Sequence, residues 1–138
     1  MKHEDKDLLL KDLCARMPYN PLVEYKGESY NVLGIAHGKL VLCKPFMSYT
    51  LKENPLVEEA KPYLFPLSSM TEEQLKDVKA SLHQELIDIY ENGSEERKVP
   101  EYPQTWYYVQ DWYNAHHFDY RGIIERGLAI DATGLNIY

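Results

Sequence analysis

A chain of 138 residues with 44% hydrophobic and 27% charged side chains can bury one core without metal or disulfide staples and is too apolar to be disordered. Its formal net charge of −7, with no visible cluster of lysine or arginine, opposes phosphate and excludes general nucleic-acid binding. No run approaches the ~18 apolar residues of a membrane span, and the start, residues 1–7, lacks the apolar core of a signal peptide. Cys14 and Cys43 stand without metal spacing and read as reduced thiols, so a cytoplasmic protein is expected.

Residues 5–16 read as a helix, with Leu8, Leu9, Leu10 and Leu13 as its apolar stripe, Asp5 or Asp7 as its cap and Pro18 and Pro21 beyond its end. Cys14 falls on the apolar side in this reading and Cys43 in a strand, both as small buried side chains. Residues 22–26 and 29–35 alternate in polarity, with a Lys26-Gly27-Glu28 turn between them, and residues 39–43, Lys-Leu-Val-Leu-Cys, follow a His37-Gly38 turn. They predict a three-stranded antiparallel meander. A fourth strand is expected at 56–60 or 63–65, confined to an edge by Pro55, Pro62 and Pro66. The segment 61–67 otherwise reads as a strap packing Tyr63, Leu64 and Leu67 over the core.

A long helix is predicted over 71–91. Thr71 and Gln74 match a capping box, Met70 and Leu75 a hydrophobic staple, and Leu75, Val78, Leu82, Leu86 and Ile89 one inward face, with Asn92-Gly93 as the stop. After a polar connector at 92–103, a helix over 104–116 would turn Trp106, Val109, Trp112 and Tyr113 inward. A last helix at 120–126 would be capped by Asp119 and stopped by Gly127. The expected fold class is therefore α+β in one domain: an N-terminal helix (1–20), a small antiparallel meander resembling an SH3-like fragment (21–66) and a helical C-terminal half (67–138).

Three phrases carry a resemblance: Leu-Leu-Leu-Lys-Asp-Leu-Cys-Ala-Arg-Met-Pro-Tyr (8–19), Lys-Pro-Tyr-Leu-Phe-Pro-Leu-Ser-Ser-Met-Thr-Glu-Glu (61–73) and His-Phe-Asp-Tyr-Arg-Gly-Ile-Ile-Glu-Arg-Gly-Leu-Ala (117–129). In this order they resemble a group of small proteins of uncharacterised activity encoded by phages and mobile elements of gut bacteria. Phe65 stands where that group usually carries a basic residue, and the tail at 136–138 also differs. The resemblance implies a bacterial or phage origin and brings no catalytic role.

Residues 104–127 hold both tryptophans, four tyrosines and the pair His116-His117. Aromatic side chains supply contact area at little entropic cost and concentrate in cores and interfaces. On helix 104–116, Tyr107 and Tyr108 turn away from the face of Trp106 and Val109, and Arg121, one of four arginines, lies beside two aromatics. Tyr107, Tyr108 and Arg121 are thus the candidate partner-binding residues. The bland reading of Arg121 is an ion pair with Asp119 or Glu125. His116, His117 and Asp119, with His37 or His83 as a further ligand, are the candidate metal set; adjacent histidines diverge, however, and also suit a helix end followed by a cap. No Walker loop, Gly-x-Ser-x-Gly elbow or Gly-x-Gly-x-x-Gly motif is present, so no catalytic residue and no cofactor is expected. The sequence thus points to a non-enzymatic interaction module whose partner is another protein or a second copy. The alternatives are a metal-binding protein or enzyme and an acidic mimic of DNA.

Overall fold

The computed structural model describes residues 1–47, 49–80 and 103–138, with side chains from residue 109 onward in the last stretch. Helix α1 spans His3–Arg16. Its buried residues are Leu9, Asp12, Leu13 and Arg16, the i, i+3, i+4, i+7 spacing of one helix face. That face lies about one residue around from the predicted leucine stripe, and Cys14 consequently points outward and is exposed rather than buried. Neither Asp5 nor Asp7 caps the helix; the N-cap is Lys2, without a side-chain bond. A 3-10 turn at Met17–Tyr19 follows and leads through Asn20, at φ 53°, into the sheet.

Strands β1 (Leu22–Tyr25), β2 (Glu28–Ala36) and β3 (Lys39–Cys43) form the expected antiparallel meander. Its two turns place Lys26 and Gly27, then His37 and Gly38, at positive φ, as two-residue hairpin turns of the twist-matched kind require. The outer edge of β3 is covered by residues 50–57, where Leu40 N–H donates to Pro55 O at 2.7 Å and Leu51 N–H to Leu42 O at 2.8 Å.

Strand β4 (Lys61–Pro66) departs from the expectation: it is not an edge. It pairs antiparallel with β1 and parallel with two short strands, β5 (Phe118–Asp119) and β6 (Ile130–Asp131), in a six-stranded mixed sheet. The prolines are tolerated because its ladders are short and its partners change along its length. Tyr63 and Leu64 are buried as expected, but Leu67 is 42% exposed.

Helix α2 is described over 72–80, where the capping box is present: Thr71 N–H donates to Gln74 Oε1 at 2.9 Å and Gln74 N–H to Thr71 Oγ1 at 3.2 Å. Val78 is buried, whereas Leu75 is 44% exposed; Leu82, Leu86 and Ile89 lie outside the described residues. Helix α3 spans Pro103–Ala115. Beyond it the C-terminal half is not helical. In place of a helix at 120–126 there is a set of turns, closed by Gly127 at φ 73° with Leu128 N–H donating to Ile123 O at 3.0 Å. Asp119 caps as predicted, but it caps this turn.

Side chains alternate across the sheet. One face packs Val23, Tyr25, Tyr30, Val32, Leu40, Leu42 and Leu64 against Leu9 and Leu13 of α1 and against Ile123 and Leu128. The other face carries only a small cluster, Leu22, Tyr63 and Ala132, with Phe65, Ile130 and Ile137 against it. The last residues lie on this second face. Leu22 N–H donates to the Tyr138 hydroxyl at 2.9 Å, and that hydroxyl donates to Tyr63 O at 3.1 Å. The hydroxyl thus bridges β1 and β4 where their direct pairing, Val23 with Pro62, stops. Tyr138→Phe leaves both main-chain groups without the bridge. The expected cost is about 1–3 kcal/mol, read as a lower urea midpoint at unchanged m value. Among the described residues no helix is long and apolar enough to cross a membrane.

Candidate functional site

The thinly covered second face opens into a cavity of about 470 Å³. Its floor comes from side chains that alternation turns to this face, Leu22, Asn31 and Cys43; one wall is Tyr19 and Asn20, another His117, Ile137 and Tyr138, and the lip is Leu33 with Lys44–Met47. Two backbone irregularities build that lip. The β2–β3 register shifts between Val32 and Gly34, so Leu33 is the extra residue of a β-bulge and stands 53% exposed. Bulges re-aim a side chain out of a regular ladder.

The second irregularity is the turn at 44–47, closed by Met47 N–H donating to Lys44 O at 3.1 Å. Pro45 fixes the first corner, and Phe46 occupies the second at φ 63°, a position that favours glycine or asparagine. Phe46 is nonetheless an aromatic with its whole side chain in solvent, and Met47 beside it is 52% exposed. Cys43 fastens the turn from below: its thiol donates to Met47 O at 3.0 Å and lies 3.4 Å from Lys44 O. Cys43 is buried, as the strand position predicted. Among the described lining residues the only fixed charge is Lys44, itself 3.1 Å from Glu28, and none is Asp or Glu although the chain has 22 acidic residues.

His117, two residues past α3, has φ 63° and lies flat on Tyr138, with ring centroids 3.5 Å apart and planes 8° apart. Burial above all, then the positive charge of Arg16 and the neighbouring His116, push its pKa down to about 4. Burial also pushes the Tyr138 hydroxyl up to about 12. Both rings are therefore neutral near pH 7. An unfolded His117 binds its proton near 6.5 and the folded one near 4, so the unfolded chain holds more protons between those values. Stability is then full above pH 6.5 and is lost as pH falls towards 4, at up to about 1.4 kcal/mol per pH unit. Urea midpoints across this window should fall for the native chain and fall less for His117→Gln.

The candidate metal set is not assembled among the described residues. His116 is exposed, stacked on Trp112 at 3.9 Å, with its Nδ1 2.9 Å from Trp112 O, the helix-end role expected of it. Both oxygens of Asp119 accept main-chain N–H groups: Arg121 at 3.2 Å and Ile123 at 3.1 Å on Oδ1, Ile124 at 2.9 Å on Oδ2. His37 stands in the β2–β3 turn, and His83 is outside the described residues. Among the described residues no three His, Cys, Asp or Glu side chains form a group able to hold a metal ion.

Of the predicted partner residues, Tyr107 and Tyr108 have side chains outside the described residues. The Arg121 guanidinium pairs with neither Asp119 nor Glu125. Its Nε lies 3.2 Å from Asp12 Oδ1, near enough for an ion pair, and its Nη2 donates to the Tyr120 hydroxyl at 3.0 Å. Only 16% of its side chain is exposed.

Asp12 also receives a fork from Arg16, Nε at 2.8 Å and Nη2 at 3.1 Å, with both side chains fully buried. Arg16 reaches on to Phe118 O at 2.6 Å and Tyr113 O at 3.5 Å, tying α1 to the end of α3. The sequence signals that could have revealed these groups are the i, i+4 spacing of Asp12 and Arg16 and the Pro-Phe pair at 45–46 between two strands. Comparison of the chain with protein-family models, with curated proteins and with solved structures returns no match.

Proposed function

We propose that the chain is a non-enzymatic interaction module, an accessory protein of a phage or mobile element, that engages another protein chain through the face around Leu33, Phe46 and Met47. The carrying observation is that a bulge and a positive-φ turn both present apolar side chains to solvent at the lip of one cavity. Strained backbone and exposed apolar surface are each unfavourable for an isolated soluble fold, and their coincidence supports a contact surface. The lack of carboxylates among the described lining residues of so acidic a chain supports the same reading, since interface centres are depleted in charge. Tyr107 and Tyr108 of α3 remain separate candidates for contact with a partner. The largely buried ion pair of Arg121 gives it less to offer a partner.

Photo-crosslinking side chains placed at positions 33 and 46, with position 125 as an exposed control, test this in bacterial cells expressing the chain. Discrete protein adducts at 33 and 46, absent at 125, are expected. Equal labelling at all three positions would show that this face is not a contact surface.

A further inference from the structure

We propose that the cavity receives Phe46 from a second copy of this chain, so that two copies exchange Phe46 side chains about a two-fold axis. The inference rests on the face being a protein contact surface and names its occupant.

Self-complementarity is what a two-fold contact requires: one patch must carry both the projection and the recess. Here both belong to one face. Phe46 projects fully from a turn held by Cys43, and the recess lies directly beside it, since Phe46 itself forms part of the lip. The recess is lined with Leu22, Ile137 and the neutral rings of His117 and Tyr138, a surface that takes a phenyl ring without desolvating a fixed charge. Its volume of about 470 Å³ exceeds what one side chain needs and lies within the range of small-molecule clefts.

Charge decides between a second copy and a strongly basic partner. A basic partner would be met by carboxylates in the recess, and among the described residues its lining contains none. Two copies each at −7 repel at long range, but the described lining carries no carboxylate, and its one cation, Lys44, is already met by Glu28 at 3.1 Å within each copy. The remaining repulsion is screened beyond about 8 Å at physiological salt. Self-association through this face should therefore strengthen as salt is raised, opposite to a contact driven by ion pairs. The identity of residue 46 points the same way. Asparagine tolerates positive φ better than phenylalanine and would not expose apolar surface, so the fold alone does not call for phenylalanine there.

Sedimentation velocity of the full chain up to about 1 mM, at low and high salt, is the first measurement. A monomer–dimer equilibrium that tightens with salt is expected. Phe46→Asn should melt no lower than the native chain yet weaken dimerisation at least tenfold. Asn31→Trp, which fills the recess from its floor, should weaken it similarly. Mixing the two variants restores one of the two insertions and should recover a heterodimer that neither forms alone.

In a sample mixing isotope-labelled and unlabelled native chains, contacts between the Phe46 ring and Ile137 methyls across copies are expected, without any substitution. A chain that stays monomeric throughout, a dimer indifferent to Phe46→Asn, or an absence of cross-copy contacts to Ile137 each overturns the proposal. Crosslinks from position 46 to a different protein, with a monomeric chain, would overturn the second copy alone. No crosslinks and no dimer would overturn the contact surface itself.

Discussion

Arg16→Ala is expected to destabilise the fold by about 3–5 kcal/mol, with a fall in the denaturant midpoint large enough to leave the domain marginal. An exposed ion pair would be worth at most about 1 kcal/mol. Arg16 and Asp12 are fully buried, however, and the substitution does more than remove one attraction. It strips two of the hydrogen bonds from a buried carboxylate and leaves Phe118 O without its 2.6 Å donor. Arg121 remains near Asp12, but its Nε lies at ion-pair distance without the alignment of a hydrogen bond. Arg16→Lys should recover only part of the loss, because an ammonium cannot fork across both Asp12 oxygens and still reach Phe118 O. The double substitution of Asp12 and Arg16 by alanine should cost clearly less than the sum of the two singles. Additivity would show that the pair is not coupled.

The second large effect is expected at Phe118. Its ring is 2% exposed and stacks on Trp112 at 5.7 Å and 17°, with Phe65 at 5.9 Å and Tyr113 at 6.4 Å. Phe118→Ala empties the junction between α3, β4 and β5 at a cost of about 3–5 kcal/mol. Phe118→Leu keeps most of the volume and should cost well under half as much. Near-ultraviolet circular dichroism should fall in the alanine variant even where the chain remains folded, because Trp112 loses one of the two rings stacked on it. An unchanged spectrum would mean that Trp112 is held by other neighbours.

The elements that were legible from sequence are those whose causes are local. Lys26-Gly27 and His37-Gly38 select a hairpin turn by backbone preference alone, and Thr71 with Gln74 closes a capping box within four residues. What escaped depends on partners far along the chain. The prolines at 62 and 66 forecast an edge, because sequence cannot reveal that β5 and β6 arrive from more than fifty residues away. The stripe of α1 was misplaced because Asp12 and Arg16 count as solvent-facing in any polarity pattern, and only the carbonyls of residues 113 and 118 make their burial possible. The turn after Asp119 mimics a helix start over its first four residues and then stops, since Gly127 closes it immediately. The aromatic concentration at 104–127 located a junction of the core at Phe118, while the apolar lip arose from single residues, Leu33 and Phe46, whose exposure follows from backbone shape.

The mixed pairing of β4 has a consequence for the time during which the chain is made. β4 can join β1 as soon as it leaves the ribosome, but its parallel partners follow at residues 118 and 130. At about 5–20 residues per second, the interval between Pro66 and Phe118 is roughly 3–10 s. Throughout it β4 is the open margin of a growing sheet, the situation in which nascent chains pair with one another. Two of its six positions are prolines, which offer no N–H to a stranger. The residues that look misplaced in the interior of the finished sheet are those suited to guard it while it is unfinished.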